Sequence, residues 1–251
     1  MTTALITGAT AGIGLEFARQ LADRGNDLVL VARDRERLET VALELRARGV
    51  TVDVLAADLL DAAGLDAVDA RLAADDRPID VLVNNAGYGI RGELDENSWD
   101  DERRHLEIHA TVPLRLTQTA LRGMLDRGRG RVVLIASVAA FTPRGTYSAA
   151  KAWAVMLARS LNLRTRDRGV TVTAVCPGFT RTEFHERMGV ATSGIPSFLW
   201  LDAPRLVRLA LRGVDRGRAV VVPTARYRAI SALARILPDR LSAGGGFRSR
   251  D

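Results

Sequence analysis

The sequence predicts a single α/β domain with a doubly wound, seven-stranded parallel sheet and helices on both of its faces. Short β-branched or apolar runs alternate along the chain with amphipathic segments of helical length. This alternation is typical of β–α–β units, whose strands are parallel. No linker-like Pro/Gly/Ser stretch occurs before residue 177, and no internal repeat is present. We therefore predict one domain over residues 1–238 and a disordered tail over residues 239–251.

Glycines mark the ends of the first predicted helices. Gly25 and Gly49 each follow an amphipathic run, and glycine is the usual residue just beyond a helix C-terminus. The first three strands are predicted over Thr3–Thr7, Asp27–Ala32 and Val50–Ala56, and the helices over Gly12–Arg24, Asp34–Arg48 and 61–75.

The second half of the chain continues the same pattern. The strands are predicted over Ile79–Val83, Arg131–Ala136, Val170–Val175 and Ala219–Val222, and the helices within 98–127, over about Tyr147–Arg168 and near 203–213. Gly169 ends the helix that begins near Tyr147.

Composition excludes several classes of protein. The 251 residues are 47% apolar and 26% charged, which excludes collagenous, coiled-coil and wholly disordered chains. No apolar run reaches the ~20 residues that a membrane-spanning helix needs, and the N-terminus does not resemble a secretion signal. The one cysteine, Cys176, cannot form an internal disulfide. We therefore expect a cytoplasmic protein.

Positive charge is concentrated near the C-terminus. The net charge is +6, but residues 203–251 carry eleven arginines against three aspartates, whereas residues 1–202 are slightly acidic. No zinc-finger, bZIP or RNP-type pattern accompanies this charge, so we expect no nucleic-acid partner. Tyr227, Ile230, Leu233 and Leu237 have helical spacing among arginines. Such a basic stripe could touch anionic lipid, but packing on its own domain or on another subunit is the favoured interpretation.

A glycine-rich turn lies between the first strand and the first helix. It reads Thr7-Gly-Ala-Thr-Ala-Gly-Ile-Gly14, where a doubly wound sheet binds a dinucleotide. Glycines permit a tight turn, and they bring backbone N–H groups and a helix N-terminus to a pyrophosphate. A tight turn without a ligand is the alternative. The cofactor-binding residues predicted here are Gly8, Thr10, Gly12, Ile13 and Gly14.

The end of the second strand predicts which cofactor is bound. An acidic residue there accepts hydrogen bonds from the ribose of NAD, whereas arginine favours the 2′-phosphate of NADP. Ala32 occupies the usual acidic position and Arg33 follows it. Asp34 could serve NAD, but it fits better as the N-cap of the next helix. We therefore predict that NADP(H) is preferred and that NAD(H) can be used; we assign no metal site.

Tyr147 and Lys151 predict acid–base chemistry. Residues at i and i+4 lie on one face of a helix, and Lys151 is the only lysine in the chain. A phenol titrates near ~10, and a neighbouring cation brings that pKa toward neutrality. Tyr147 can then donate a proton to a carbonyl or remove one from an alcohol. Ser137, at the end of the fifth strand, could orient the reacting oxygen, although a serine there is also a common cap.

Five motifs occur in the order of the classical short-chain dehydrogenase/reductase family. They are Thr7-Gly-Ala-Thr-Ala-Gly-Ile-Gly14, Asn84-Asn-Ala-Gly87, Ser137, Tyr147-x-x-x-Lys151 and Pro177-Gly178. Over about residues 3–222 the chain resembles this family. The resemblance implies a Rossmann-type fold and an oxidoreductase that uses NAD(P)(H), and we expect a homodimer or homotetramer.

The resemblance also implies roles for individual residues. Tyr147 would be the acid/base, Lys151 would bind the nicotinamide ribose, and Ser137 would position the substrate. Asn84 would support the central sheet beside the cofactor, and the segment Pro177–Thr182 would close over the nicotinamide. The further cofactor contacts that it implies are Asp58 at the adenine, Leu59, Asn85, Ala86, Gly87, Pro177, Gly178, Thr180 and Thr182.

Two departures from the family pattern concern catalysis. The family's helical asparagine, which holds a proton-relay water, should fall within Leu106–Thr111, where this chain has His109. His109 could hold the same water, or it could be a packed residue in a weakened enzyme. Ser137 also lies only ten residues before Tyr147, which is closer than is usual in the family.

Residues 179–202 are predicted to cover the substrate. They are rich in apolar side chains, which suggests a hydrophobic carbonyl or alcohol such as an acyl, lipid-like or terpenoid compound; ordinary lid packing or a subunit interface is the alternative. The sequence thus predicts an NADP-dependent carbonyl reductase or alcohol dehydrogenase. A non-catalytic sensor or scaffold that binds NADP is the alternative function.

Overall fold

Seven parallel strands form the centre of the protein in the computed structural model, which describes residues 2–90, 92–183 and 196–238. The strands are β1 (Thr3–Thr7), β2 (Asp27–Ala32), β3 (Val52–Ala56), β4 (Ile79–Asn84), β5 (Gly130–Ile135), β6 (Val170–Val175) and β7 (Val220–Val221). Their order in the sheet is β3-β2-β1-β4-β5-β6-β7, and every neighbouring pair is parallel. Strand order therefore reverses between β1 and β4, where folds of this class bind ligands.

Helices connect the strands and cover both faces of the sheet. They are α1 (Gly12–Ala22), α2 (Arg35–Arg46), α3 (Ala62–Ala73), α4 (Trp99–Leu106), α5 (Val112–Asp126), α6 (Gly145–Thr165), α7 (Ala203–Asp215) and α8 (Ala225–Ala234). One apolar core packs α1, α2 and α7 against the sheet, and the other packs α3, α5 and α6. The predicted doubly wound α/β fold is therefore confirmed.

Successive side chains along each strand point to opposite faces of the sheet, and this alternation produces the two cores. In β1, Ala4 and Ile6 point to one face while Leu5 points to the other, and all three are fully buried. The period of two places both faces of a central strand against helices, so such strands are apolar throughout. Because both cores pack on the sheet, β1 is buried on both of its faces, and the carboxyl ends of the parallel strands lie at one edge.

The predicted strands and helices differ from the observed ones mainly at their ends, with one internal exception. The helix expected within 98–127 is interrupted by a π-helical turn over Glu107–Thr111. There the Val112 N–H bonds the carbonyl of Glu107, five residues earlier. Pro113 has no N–H to donate to the carbonyl of His109, so regular α-helical bonding cannot continue. This turn contains His109.

The C-terminal amphipathic segment forms α8, but only part of its apolar stripe is buried. Tyr227 is buried, whereas Ile230 and Leu233 remain exposed. Residues 239–251 and the central residues of the predicted lid, including Phe184, Met188 and Ile195, lie outside the described residues. In the part that is described, no helix combines the length and apolarity needed to cross a membrane.

Candidate active site

The glycine-rich loop joins β1 to α1 in the conformation that glycine permits. Gly8 and Gly12 have φ values of +67° and +55°, which other residues rarely adopt. Gly14 packs directly against the carbonyl of Gly8, where a Cβ atom would overlap. Ala11, the N-cap of α1, provides no side-chain hydrogen bond to the first turn. The N–H groups at this helix end therefore have no side-chain cap, and Thr10 and Ile13 flank them.

Asn85 fastens this loop to the end of β4. Its Nδ2 donates to the carbonyls of Thr7 and Gly8, at 2.9 and 3.1 Å. The backbone N–H groups of Asn85 and Ala86 in turn donate to the Thr7 hydroxyl, at 2.9 and 3.0 Å. Asn84 instead donates to the Thr117 hydroxyl on α5. The Asn85 contacts fix the crevice between β1 and β4.

An exposed arginine follows the end of β2, beside this crevice. Arg33 is exposed, and it has no ion pair among the described residues. The Asp34 carboxylate accepts a hydrogen bond from the Arg37 N–H at 3.0 Å, so Asp34 is the N-cap of α2 as predicted. The Asp58 carboxylate, after β3, accepts from the Leu60 N–H at 3.0 Å, and Leu59 is buried.

Ser137, Tyr147 and Lys151 meet at the carboxyl end of β5. The Tyr147 hydroxyl and the Ser137 side chain are hydrogen-bonded, and Lys151 Nζ lies 5.6 Å from the centre of the Tyr147 ring. Lys151 Nζ also donates to the Ile135 carbonyl at 2.8 Å. The Ser137 hydroxyl oxygen accepts from the Ala139 N–H at 3.1 Å. The short spacing between Ser137 and Tyr147 therefore does not prevent their contact.

Burial changes the proton affinity of this group of residues. Desolvation raises the pKa of Tyr147 to about 12, which the hydrogen bond from Ser137 only partly offsets. Desolvation lowers the pKa of Lys151 to about 8 because the ammonium is removed from water. Tyr147 is therefore a protonated phenol at neutral pH, beside a lysine that titrates close to neutrality. The expected lowering of the Tyr147 pKa by Lys151 is not seen, because burial of the phenol outweighs it.

His109 lies against Tyr147 on the inner side of the π-helical turn. The two ring centroids are 5.7 Å apart and the rings are nearly perpendicular. His109 Nε2 is 2.6 Å from the Tyr88 carbonyl, so Nε2 carries the proton and Nδ1 is an acceptor. Burial, and secondarily the charge of Lys151, holds the pKa of His109 well below its usual value. His109 is therefore a neutral imidazole.

A small cavity separates His109 from Lys151. Its volume is about 20 Å³, and Asn84 and Ile135 also line it. A cavity of this size, with polar groups around it, can hold one water molecule. His109 Nδ1 is buried without a hydrogen-bond partner among the described residues. Gly87 packs against the imidazole so closely that any Cβ atom at that position would overlap it.

Two residues beside His109 were not predicted from the sequence to belong to the site. His105 is buried one helical turn earlier, with its ring centroid 4.6 Å from that of His109 and 6.0 Å from that of Tyr147. Tyr88 is partly exposed, and its ring contacts both histidines. The i, i+4 spacing of the two histidines was the available signal for His105, but only the fold turns both toward Tyr147.

The segment after β6 crosses the open end of the sheet. The Pro177 carbonyl accepts from the Val138 N–H at 2.9 Å, and the Thr180 hydroxyl donates to the Gly178 carbonyl at 2.9 Å. Thr182 contacts Gly12 of the glycine-rich loop. The predicted cofactor residues of this segment therefore lie over the crevice between the loop and the Tyr147 group.

Tyr227 of α8 anchors this segment and was not predicted to do so. Its hydroxyl accepts from the Phe179 N–H at 3.1 Å and donates to the Leu199 carbonyl at 2.8 Å. Its ring packs on Gly178 where a side chain would overlap. Phe179 and Trp200 pack together, with ring centroids 6.0 Å apart. Tyr227 thus connects both described ends of the predicted lid.

Comparisons with known proteins show which family the chain is similar to. Residues 2–191 match the family model described as short chain dehydrogenase. A putative ketoacyl reductase of Streptomyces coelicolor is 41% identical over 187 residues, which are 71% of this chain and 70% of the relative.

Solved structures are also similar to this chain over its whole length. A short-chain dehydrogenase from Sphingobium yanoikuyae in complex with NADPH is 36% identical, with a TM-score of 0.85 over 98% of that chain. The bulky-bulky ketone specific alcohol dehydrogenase from Comamonas testosteroni is 34% identical, with a TM-score of 0.81 over 97% of that chain. The chain therefore belongs to the short-chain dehydrogenase/reductase family of oxidoreductases.

Proposed function

We propose that the protein is an NADP(H)-dependent oxidoreductase that interconverts a carbonyl and a secondary alcohol on a hydrophobic small molecule. The observation that supports this proposal most directly is that Ser137, Tyr147 and Lys151 lie together, at the same edge of the sheet as the glycine-rich loop. A hydroxyl pair beside a lysine can bind a carbonyl oxygen and protonate it.

The crevice between β1 and β4 fits a dinucleotide. Gly8, Gly12 and Gly14 let the loop turn tightly against Asn85 and Thr182, and the uncapped N-terminus of α1 favours a negatively charged group. The segment from Pro177 to Thr182 would cover the nicotinamide end, and Asp58 and Leu59 would lie at the adenine end. NADPH, when bound, supplies the hydride for the reduction.

Arg33 supports a preference for NADP(H) over NAD(H). Its guanidinium is exposed at the end of β2, and Ala32 supplies no carboxylate that would repel a 2′-phosphate. Asp34 accepts the Arg37 N–H and is thereby committed to capping α2. The relative from Sphingobium yanoikuyae, solved with NADPH, supports the same preference.

Tyr147 would act as the acid in the reductive direction. The carbonyl oxygen would accept hydrogen bonds from the hydroxyls of Ser137 and Tyr147, and Tyr147 would transfer its proton as the carbonyl carbon is reduced. The Lys151 ammonium, close to the ring, would stabilise the phenolate that remains. In the oxidative direction the same phenolate would remove the proton of the alcohol.

His109 would take the place of the family's asparagine. A water molecule in the cavity between His109 and Lys151 would donate to His109 Nδ1 and accept from Lys151 Nζ. The neutral imidazole suits this role, because a protonated ring would have no acceptor nitrogen and would repel Lys151. Asn84 and the Ile135 carbonyl would complete the surroundings of that water.

The covering segment supports a hydrophobic substrate. Phe179 and Trp200 pack together at the two described ends of the covering segment, and Phe198 of the same segment is largely exposed. The relatives named for a ketoacyl substrate and for bulky ketones support the same class. Ketones with large apolar substituents are therefore the first substrates to examine.

A screen of NADPH oxidation tests this function. Purified protein should oxidise NADPH with ketones and aldehydes, and activity should rise with the size of the apolar substituent. NADH should support at least ~10-fold lower kcat/KM, the effect of one lost phosphate–arginine contact. Failure with every carbonyl offered, although NADPH binds in a fluorescence titration, would contradict the proposed activity. Equal kcat/KM with the two cofactors would contradict the role of Arg33.

We further propose that the protein is a cytoplasmic homodimer or homotetramer. Leu114 on α5, and Met156 and Leu163 on α6, are exposed apolar side chains that a second subunit would cover. Light scattering on the full chain measures the number of subunits directly. A monomer at micromolar concentration would contradict the proposed oligomer.

A further inference from the structure

A groove on the far edge of the sheet takes no part in the chemistry proposed above. It lies beside the edge strand β7, between α6, α7 and α8, and its volume is about 550 Å³. Six arginines line it. They are Arg159, Arg212, Arg216, Arg218, Arg228 and Arg235.

These guanidinium groups lack counter-charges in the described part of the chain. None of the six forms an ion pair there, and no acidic residue lines the groove. Asp215, the carboxylate at the end of α7, instead pairs with Arg24 and Arg131, at 3.1 and 3.4 Å. Cations gathered around a concave surface reinforce one another's potential and attract an anion.

A buried hydroxyl gives a second, independent indication of a ligand. Ser231 lines the groove and is only 4% exposed, and its Oγ has no hydrogen-bond partner among the described residues. A buried hydroxyl without a partner is costly and uncommon. An oxygen-rich anion in the groove would accept its proton.

The apolar lining of the groove indicates the rest of the ligand. Its apolar residues are Leu209, Val220, Val221, Val222, Pro223 and Ala232. A volume of this order is typical of sites for small molecules, and arginine forks match phosphate oxygens. We propose that the groove binds an organic phosphate that carries an apolar group, with the phosphate held by the arginines and Ser231 and the apolar group against the valines that line the groove.

Charge argues against a second copy of this chain as the occupant of the groove, and shape argues against a membrane. A second copy of this chain, docked symmetrically on the same face, would bring two sets of six arginines together. A membrane surface is flat, whereas Ser231 and the valines lie inside a concave groove. A single phosphate-bearing molecule can enter the groove, contact the arginines and lie against Ser231.

Calorimetric titration of the full chain with decyl phosphate tests the proposal. Saturating NADPH is present so that the cofactor site is occupied, and decyl phosphate is kept below its micelle-forming concentration. We expect one molecule to bind per chain, with inorganic phosphate and decanol each at least ~10-fold weaker because each lacks half of the contacts. Replacing Arg216→Gln and Arg228→Gln together should weaken binding by at least ~10-fold.

Two controls separate a built site from general attraction. Arg122→Gln with Arg164→Gln removes the same charge from exposed positions outside the groove and should change the affinity by less than ~2-fold. Ser231→Ala should weaken decyl phosphate by ~3- to 10-fold, the effect of one hydrogen bond.

Four results would overturn the proposal. They are absence of binding, equal losses in the two double variants, an unchanged affinity in Ser231→Ala, and binding only to phosphatidylglycerol vesicles. Sedimentation velocity adds a fifth: self-association that the groove substitutions abolish without any phosphate present would assign the groove to a second copy.

Discussion

The His109 imidazole fits beside Tyr147 because Gly87 has no side chain. A methyl group at position 87 would overlap the ring and force it away from the cavity that it shares with Lys151. We therefore expect Gly87→Ala to lower kcat by at least ~10-fold, since relayed proton transfer contributes about that much or more. Steady-state reduction with NADPH measures the change.

A double-mutant cycle distinguishes this overlap from an effect on the cofactor. Asparagine is shorter than histidine, so His109→Asn should accept the added methyl group, and Gly87→Ala in that background should cost much less than in the parent. An equal loss in the two backgrounds would mean that Gly87 acts on the cofactor and not through His109.

Lys151 predicts how the reductive rate depends on pH. Its pKa is lowered to about 8 by burial, and the proposed mechanism needs the ammonium form. The group is protonated below this pKa, so kcat for reduction should be constant around neutrality and fall as the pH rises through about 8. The pKa of His109 lies well below its usual value, so no decline is expected near the ordinary histidine range.

A pH profile of kcat with NADPH, from neutral to alkaline pH, checks this sign. Profiles for two substrates of different reactivity show whether the fall in kcat at alkaline pH belongs to the chemical step. A rate that stays constant well beyond the pKa of Lys151, or that rises there, would contradict the assigned role.

At the scale of elements, α8 holds the segment that covers the crevice. Tyr227→Phe would remove the hydrogen bonds to the Phe179 N–H and the Leu199 carbonyl while keeping the ring on Gly178. We expect the free energy of unfolding to fall by ~1–3 kcal/mol, and KM for the carbonyl substrate to rise more than kcat falls. Urea unfolding and steady-state kinetics measure the two effects.

Ile230→Ala is the matched control for this prediction. Ile230 lies on the same helix and its side chain is exposed, so its truncation should leave both KM and the free energy of unfolding close to those of the parent. If Tyr227→Phe behaved like this control, α8 would not anchor the covering segment.

Elements that depend on local signals could be predicted from the sequence. The order and approximate positions of the strands follow from apolar runs, and Asp34 was identified as a cap because its side chain precedes a helix. The π-helical turn was missed although Pro113 marks it, because the apolar period continues through the turn. Its consequence is that His109 lies on the side of the helix that faces Tyr147.

Residues that act through tertiary packing could not be predicted in the same way. Tyr227 is far along the chain from Gly178, and only the folded sheet brings the two together. His105 approaches Tyr147 because α4 packs on α6, which no local pattern specifies. The loop glycines, Tyr147 and Lys151 were predictable because their chemistry depends on spacing within one strand–turn–helix unit or one helix.

On the scale of the whole molecule, the two proposed sites lie at different places on the sheet. The crevice where the strand order reverses carries the glycine-rich loop and the Tyr147 group, whereas the β7 edge carries the arginine groove. Parallel strands place all their carboxyl ends at one edge, so residues distant in sequence, such as Gly8, Ser137 and Pro177, converge there. Catalysis therefore depends on the integrity of the fold as much as on the individual side chains.

The turnover of Tyr147→Phe, measured with NADPH and a ketone that the parent reduces, tests the central claim most directly. Tyr88→Phe is the control, because it removes only a phenol hydroxyl beside the site. The backbone carbonyl of residue 88, which contacts His109, is retained. We predict that Tyr147→Phe binds NADPH like the parent but loses at least ~100-fold in kcat, the contribution of general acid catalysis, while Tyr88→Phe stays close to the parent. Turnover by Tyr147→Phe within a few-fold of the parent would contradict the assignment of Tyr147 as the proton donor.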